Sequence, residues 1–173
     1  ADILFGEVNP SGRLPVTFYR SNEDLPPFED YRMEGRTYKY FRGEPLFPFG
    51  YGLSYSTFNY SSLNTDKDIY SPNDTLLVTC EVNNNNVAGD EVVQLYVLEK
   101  DGPEGSANKL LIGFDRIYLD PEQSGTVTFT VPLSRMAGWD SDRKAYVLYP
   151  GTYSLQVGAS SEDVKLETQL EIR

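Results

Sequence analysis

The sequence predicts an all-β chain whose main body is an antiparallel β-sandwich, and three observations carry that prediction. Short runs alternate apolar with polar residues, as Val127, Phe129 and Val131 do with Thr126, Thr128 and Thr130. Turn-forming clusters punctuate the runs at Asn83–Asn86, Asp101-Gly102-Pro103, Asp120-Pro121 and Pro150-Gly151. No stretch beyond residue 57 carries the period of an amphipathic helix.

Three zones follow in order. In residues 1–19, Ile3, Leu4 and Phe5 read as the end of a helix, and Asn9-Pro10-Ser11-Gly12 as a turn. Leu14–Phe18 reads as a short strand that Pro15 pushes toward a sheet edge. One helix end and one strand cannot enclose a core, so this zone must pack on something else.

Residues 20–56 form a long irregular linker with four prolines (26, 27, 45, 48) and glycines at 35, 43, 50 and 52. Such composition ordinarily marks disorder. Its rings argue otherwise: 14 of the chain's 23 aromatic residues fall within the first 60 positions. A segment so rich in aromatics is expected to lie against a folded surface, held by them.

Residues 57–173 carry the strands. Leu76, Val78, Cys80 and Val82 alternate with Leu77, Thr79 and Glu81; Val93, Leu95 and Val97 alternate with Gln94 and Tyr96. Tyr153, Leu155 and Val157 repeat the pattern, and Leu166, Leu170 and Ile172 close the chain. About seven short strands of this kind read as an immunoglobulin- or fibronectin-type sandwich.

Charge and composition exclude several functions. The chain carries a formal charge of −11, and residues 56–173 hold 9 Lys/Arg against 18 Asp/Glu. That field repels phosphate backbones and anionic membrane surfaces, so neither nucleic acid nor membrane is expected as a partner. No apolar run is long enough to cross a bilayer. The opening ADILFG resembles mid-helix sequence rather than a signal peptide.

There is no histidine, which removes Ser-His-Asp and Cys-His catalysis and nearly all zinc chemistry. Cys80 is the sole cysteine; it falls on the apolar side of its run and reads as a buried, inert thiol. No cofactor and no metal is expected.

The remaining candidates are few. Hydrolysis by paired carboxylates needs two carboxyl groups facing each other across the substrate. Glu29 and Asp30 are adjacent and point to opposite sides of an extended segment. Asp140 and Asp142 fall in a loop with Arg143 and Lys144 and are short of ligands for calcium. No catalytic residue is therefore assigned. Arg36 and Tyr38, with Arg32, Glu34 and Tyr40, are the candidates for contact with a sugar, against a role in fastening the linker. Trp139 is read as a strand-flanking core residue rather than a sugar platform. Asn59-Tyr60-Ser61 and Asn73-Asp74-Thr75 are N-glycosylation sequons.

Several segments resemble one known family in order. PSGRLPVTF (10–18), EGRTYKYF (34–41), EPLFPFGYGLSYSTF (44–58), VAGDEVVQLYV (87–97), KLLIGFDRIYLDPEQSGTVTFTV (109–131) and YPGTYSLQVGASSED (149–163) are similar to the C-terminal region of glycoside hydrolase family 3. The linker wording leans toward its β-xylosidases over its β-glucosidases. The resemblance implies an extracellular or periplasmic, retaining exo-β-glycosidase built from a barrel, an α/β sandwich and a fibronectin type III-like domain. Residues 1–19 would be the tail of the α/β sandwich, 20–56 the aromatic linker and 57–173 the fibronectin-like sandwich. The nucleophile and acid/base motifs of the family are not matched here. The chain by itself is expected to be inactive and to partner the catalytic barrel and α/β sandwich of its parent, with sugar bound through the parent.

Overall fold

The computed structural model describes residues 1–100, 107–140 and 142–173; the expected turn at Asp101-Gly102-Pro103 and Ser141 lie outside these. Ten strands run β1 Phe58–Thr65, β2 Ile69–Tyr70, β3 Thr75–Asn84, β4 Gly89–Glu99, β5 Leu110–Leu119, β6 Ser124–Pro132, β7 Gly138–Asp140, β8 Ala145–Val147, β9 Gly151–Gly158 and β10 Val164–Ile172. Among the described residues the regular structure is mostly strand, with one four-residue helix, α1 (Thr37–Tyr40), and two 3₁₀ turns at Asn22–Asp24 and Leu133–Met136.

The strands form a three-stranded sheet β1-β3-β6, a five-stranded sheet β2-β10-β9-β4-β5 and a separate two-stranded ribbon β7-β8. Pairing is antiparallel except between β2 and β10. Both larger sheets contribute to one hydrophobic cluster: Leu76, Val78, Cys80 and Val82 from β3, Val127, Phe129 and Val131 from β6, Val93, Leu95 and Val97 from β4, and Tyr153, Leu155 and Val157 from β9. The alternating positions of the sequence are thus the core positions. Each fully buried aliphatic side chain contributes about 1.5–3 kcal/mol.

Two strands are poorly written in the sequence. β1 reads FNYSSLNT, and its pairing with β3 slips between Ser61 and Asn64. In β5 the register against β4 shifts beside Leu95, and Gly113 takes a position where a Cβ would come within 2.9 Å of the Phe129 ring. A bulge changes which side chains face inward, so simple alternation fails there.

The first zone differs from expectation in one respect. Phe5 N–H donates to Ala1 O, Gly6 N–H to Ile3 O and Glu7 N–H to Asp2 O, with Gly6 at φ +79°. That bond pattern with a left-handed glycine is a Schellman helix terminus. The strand expected over Leu14–Phe18, however, is reduced to an isolated bridge between Phe18 and Phe47. Pro15 has no N–H to give a ladder. Pairing therefore survives only at the ends, with Leu14 N–H to Tyr51 O and Gly50 N–H to Leu14 O at 2.8 Å each and Phe18 N–H to Phe47 O at 2.9 Å.

The strap over the five-stranded sheet as candidate functional site

Strand β4 is buried on both faces, and that fact organises the site. Val93 and Leu95 face the core, while Gln94 and Tyr96 point the other way and are covered as completely. Residues 36–50 lie over them. Tyr96 Oη donates to Gln94 Oε1 at 2.6 Å, and Gln94 Nε2 donates to Gly50 O at 3.2 Å and to Ala159 O. Gly50 holds φ +81°, and a Cβ there would stand 2.0 Å from Gln94 Oε1. The FPFG turn can approach the sheet this closely only with glycine.

Rings supply the rest of the grip. Tyr38 stacks on Phe49 with centroids 4.4 Å apart and meets Tyr96 edge-on at 6.0 Å. Its hydroxyl accepts from Leu111 N–H at 3.1 Å, and burial pushes its pKa upward. Asn108 donates from its backbone to Lys39 O and from Nδ2 to Phe41 O at 2.8 Å. Ser161 N–H donates to Phe49 O at 2.9 Å. The Lys109 ammonium donates to Ser161 O and Gln156 Oε1, and burial lowers its pKa.

Of the two candidate sugar contacts, Tyr38 is in this stack. Arg36 donates to three backbone carbonyls, those of Pro27, Asp30 and Arg32. Thr37 follows at φ +56°, and its N–H donates to Tyr19 Oη at 2.9 Å. Arg32 holds Asp30 through both carboxylate oxygens, drawing the Asp30 pKa down to about 2.

A second latch fastens the first zone. The Arg13 guanidinium reaches Glu91 at 2.8 Å, and Tyr60 Oη donates to the other oxygen of Glu91 at 2.8 Å. Burial raises the Glu91 pKa, and Arg13 and Tyr60 pull it back. Asn9 Nδ2 donates to Ser56 Oγ at 2.7 Å and Ala88 O at 2.9 Å, and Arg116 bridges Ser11 and Asp90. No local sequence pattern marks these residues as partners. A faint signal exists: Glu91 and Gln94 interrupt an otherwise apolar run.

The other candidates are placed as follows. Cys80 is buried, and burial pushes its thiol up to about 11. Asp140 accepts from the backbone N–H of Asp142 and Arg143 and from Tyr149 Oη, closing the β7–β8 hairpin. Among the described residues no cluster of three or more His, Cys, Asp or Glu stands ready for a metal ion. Trp139 corrects the expectation of a core residue. It is 58% exposed and meets Tyr146, 74% exposed, edge-on at 5.4 Å. The two are register partners on a ribbon separate from both sheets, so no core lies above them. The sequon residues Asn59 and Asn73 are exposed, the first on β1 and the second in the turn before β3.

One surface patch where residues 12–18 meet residues 47–53 is apolar. Leu14, Phe18, Phe47, Tyr51 and Leu53 line an open groove of about 480 Å³ with Gly12, Arg13 and Gly52.

Comparison with known proteins gives two family matches: the glycosyl hydrolase family 3 C-terminal domain over residues 1–55 and the fibronectin type III-like domain over residues 91–161. The chain is 39% identical to a xylan 1,4-beta-xylosidase of Xylanibacter ruminicola, covering 96% of the chain and 19% of that protein. It is 38% identical to thermostable beta-glucosidase B of Acetivibrio thermocellus, covering 99% of the chain and 25% of that protein. The solved structure of beta-glucosidase 3B from Thermotoga neapolitana superposes with a TM-score of 0.86 at 34% identity, over 98% of the chain and 26% of the neighbour. The chain thus spans about a fifth to a quarter of the relatives it matches.

Proposed function

With this chain a C-terminal region of a family 3 glycoside hydrolase, we propose that it is the non-catalytic structural portion of a retaining exo-β-glycosidase. The parent would remove terminal β-xylosyl or β-glucosyl residues in carbohydrate breakdown, outside the cytoplasm in the extracellular space or periplasm. Residues 57–173 would be a fibronectin type III-like β-sandwich, 20–56 a strap and 1–19 the tail of an α/β sandwich.

The observation that carries this reading is the two-sidedness of residues 1–55. Their inner side is bonded to the sheet through Arg13–Glu91 and Gly50–Gln94, and their outer side presents an apolar groove. A segment built this way would transmit position from one body to another, and Arg13, Arg36 and Tyr38 serve to hold it in place. The catalytic pair would come from elsewhere in the parent, and this chain would buttress it.

The test is activity. Purified 1–173, free of contaminating enzyme, is expected to leave aryl β-xylosides and aryl β-glucosides intact, and turnover above background would overturn the reading. In the intact enzyme, replacing Arg36 or Tyr38 is expected to lower thermal stability with KM and kcat preserved.

A second reading, a carbohydrate-binding module tethering the parent to polysaccharide, is favoured by one observation: the exposed Trp139–Tyr146 pair. Aromatic faces stack on sugar C–H surfaces, although these two rings stand 72° apart rather than coplanar. Retention on insoluble xylan that is lost on Trp139→Ala would establish it.

A further inference from the structure

Outside residues 1–55 and the β7–β8 ribbon, two exposed rings remain among the described residues, and both stand on β5: Phe114, 69% exposed, and Tyr118, 57% exposed. They are register partners of Gln94 and Asp90 on β4, so they share the side of the sheet on which Gln94 faces away from the core. Between them Arg116 takes the same side by alternation. The three side chains make a ring–guanidinium–ring stripe along one strand, with the two rings about 13 Å apart.

The guanidinium is held in place without being used up. Arg116 Nη2 donates to Asp90 Oδ2 at 2.8 Å and to Ser11 Oγ at 2.9 Å. Both bonds leave from Nη2, so Nε and Nη1 keep their N–H groups without a partner among the described residues. The ion pair with Asp90 also leaves the stripe without net charge. Three kinds of occupant can be compared on these terms. An apolar protein face would press Arg116 and Asp90 against hydrocarbon and strip their hydration. An added peptide strand would need the free edge of β5, and that edge is blocked: Leu111 N–H donates to Tyr38 Oη, Arg116 N–H donates to Asp115 Oδ1, and the ladder bulges at Ile112. A pyranose suits both parts of the stripe. Its C–H face lies on a ring, and neighbouring hydroxyls find a donor in Arg116 and an acceptor in Asp90.

We infer that the stripe of Phe114, Arg116 and Tyr118 is a binding site for a neutral β-linked polysaccharide lying along β5. An extended chain of sugars reaches both rings, which a single pyranose does not. The site is distinct from the Trp139–Tyr146 pair, whose rings stand 72° apart on the separate ribbon. Phe114 and Tyr118 instead project from one face of one strand of the main sheet, and the bonds of Arg116 to Asp90 and Ser11 fix the polar group between them. The choice of xylan and β-glucan as the polymers rests on the reading of the parent as an exo-β-glycosidase; the chemistry of the stripe stands apart from it.

Affinity electrophoresis of 1–173 through gels holding soluble xylan or soluble β-glucan tests it. At least one polymer is expected to retard the chain. Phe114→Ala and Tyr118→Ala should each raise the dissociation constant about tenfold, and the two together should restore the mobility seen without polymer. Tyr118→Phe, which keeps the ring, and Trp139→Ala, which leaves β5 untouched, should bind as the unaltered chain does. Both β5 rings stand in solvent, so the melting temperatures of these variants should match that of the unaltered chain. Retardation that persists when both β5 rings are removed would overturn the site; if Trp139→Ala then abolished it, the binding-module reading would survive at the ribbon. No retardation by either polymer would overturn the site and the binding-module reading together. Cleavage of aryl glycosides by 1–173 is a separate readout and bears only on the structural-portion reading.

Discussion

Arg13 and Glu91 meet at 2.8 Å across 78 positions of sequence, with side chains 11% and 3% exposed. The pair joins the first zone to the start of β4, and Tyr60 completes it from β1 on the other sheet. Burying both charges is tolerated because each oxygen of the carboxylate has its own donor.

Removing one partner exposes that balance. Arg13→Met should destabilise the chain by about 3 kcal/mol at pH 7.5, since it leaves a buried carboxylate without its cation. The sign with pH follows from the direction of the Glu91 shift. Its folded-state pKa lies above the unfolded value and rises further without Arg13. The folded state then binds the proton more tightly, so the deficit should shrink as pH falls from 7.5 toward 5. Urea unfolding at the two pH values measures this, and a deficit that grows on acidification would contradict it.

Gly50→Ala should cost about 2 kcal/mol or more, from a left-handed φ of +81° and a clash with Gln94. The damage should stay with the strap. Hydrogen exchange is expected to quicken at Ser161, whose N–H donates to Phe49 O, and to remain slow at Val78 and Val127 in the core.

Two substitutions at Tyr38 separate its ring from its hydroxyl. Tyr38→Phe keeps the stack on Phe49 and loses only the bond from Leu111 N–H, about 1 kcal/mol. Tyr38→Ala removes the ring as well and should cost roughly 2–4 kcal/mol. Thermal melts of the pair should therefore differ clearly; equal melts would place the ring outside the load-carrying contacts.

Trp139 is the chain's single tryptophan and sits on the exposed ribbon. Its native fluorescence should be readily quenched by acrylamide, nearly as in the unfolded chain. Trp139→Ala should cost less than about 1 kcal/mol, the worth of a cross-strand aromatic pair.

Cys80, by contrast, should resist a thiol reagent in the native state and react on unfolding, since its thiol is buried and its pKa is raised to about 11. Native-state labelling at the rate of a free thiol would show that the β3 ladder opens locally.

What the sequence by itself determined was the body of the fold. Period-two alternation wrote β3, β4, β6 and β9 and assigned Cys80 to the core, because in a strand successive side chains face opposite ways. Ordered motifs wrote the family. Only the tertiary structure decided the rest. That Leu14–Phe18 keeps a single bridge, that β5 bulges at Ile112 and that Trp139 stands in solvent depend on what each segment meets in space. The strap is the clearest case. Arg13, Glu91, Gly50 and Gln94 carry no local pattern that pairs them. Their contacts join segments 44 and 78 residues apart, and such contacts exist only once the sheet has formed to receive them.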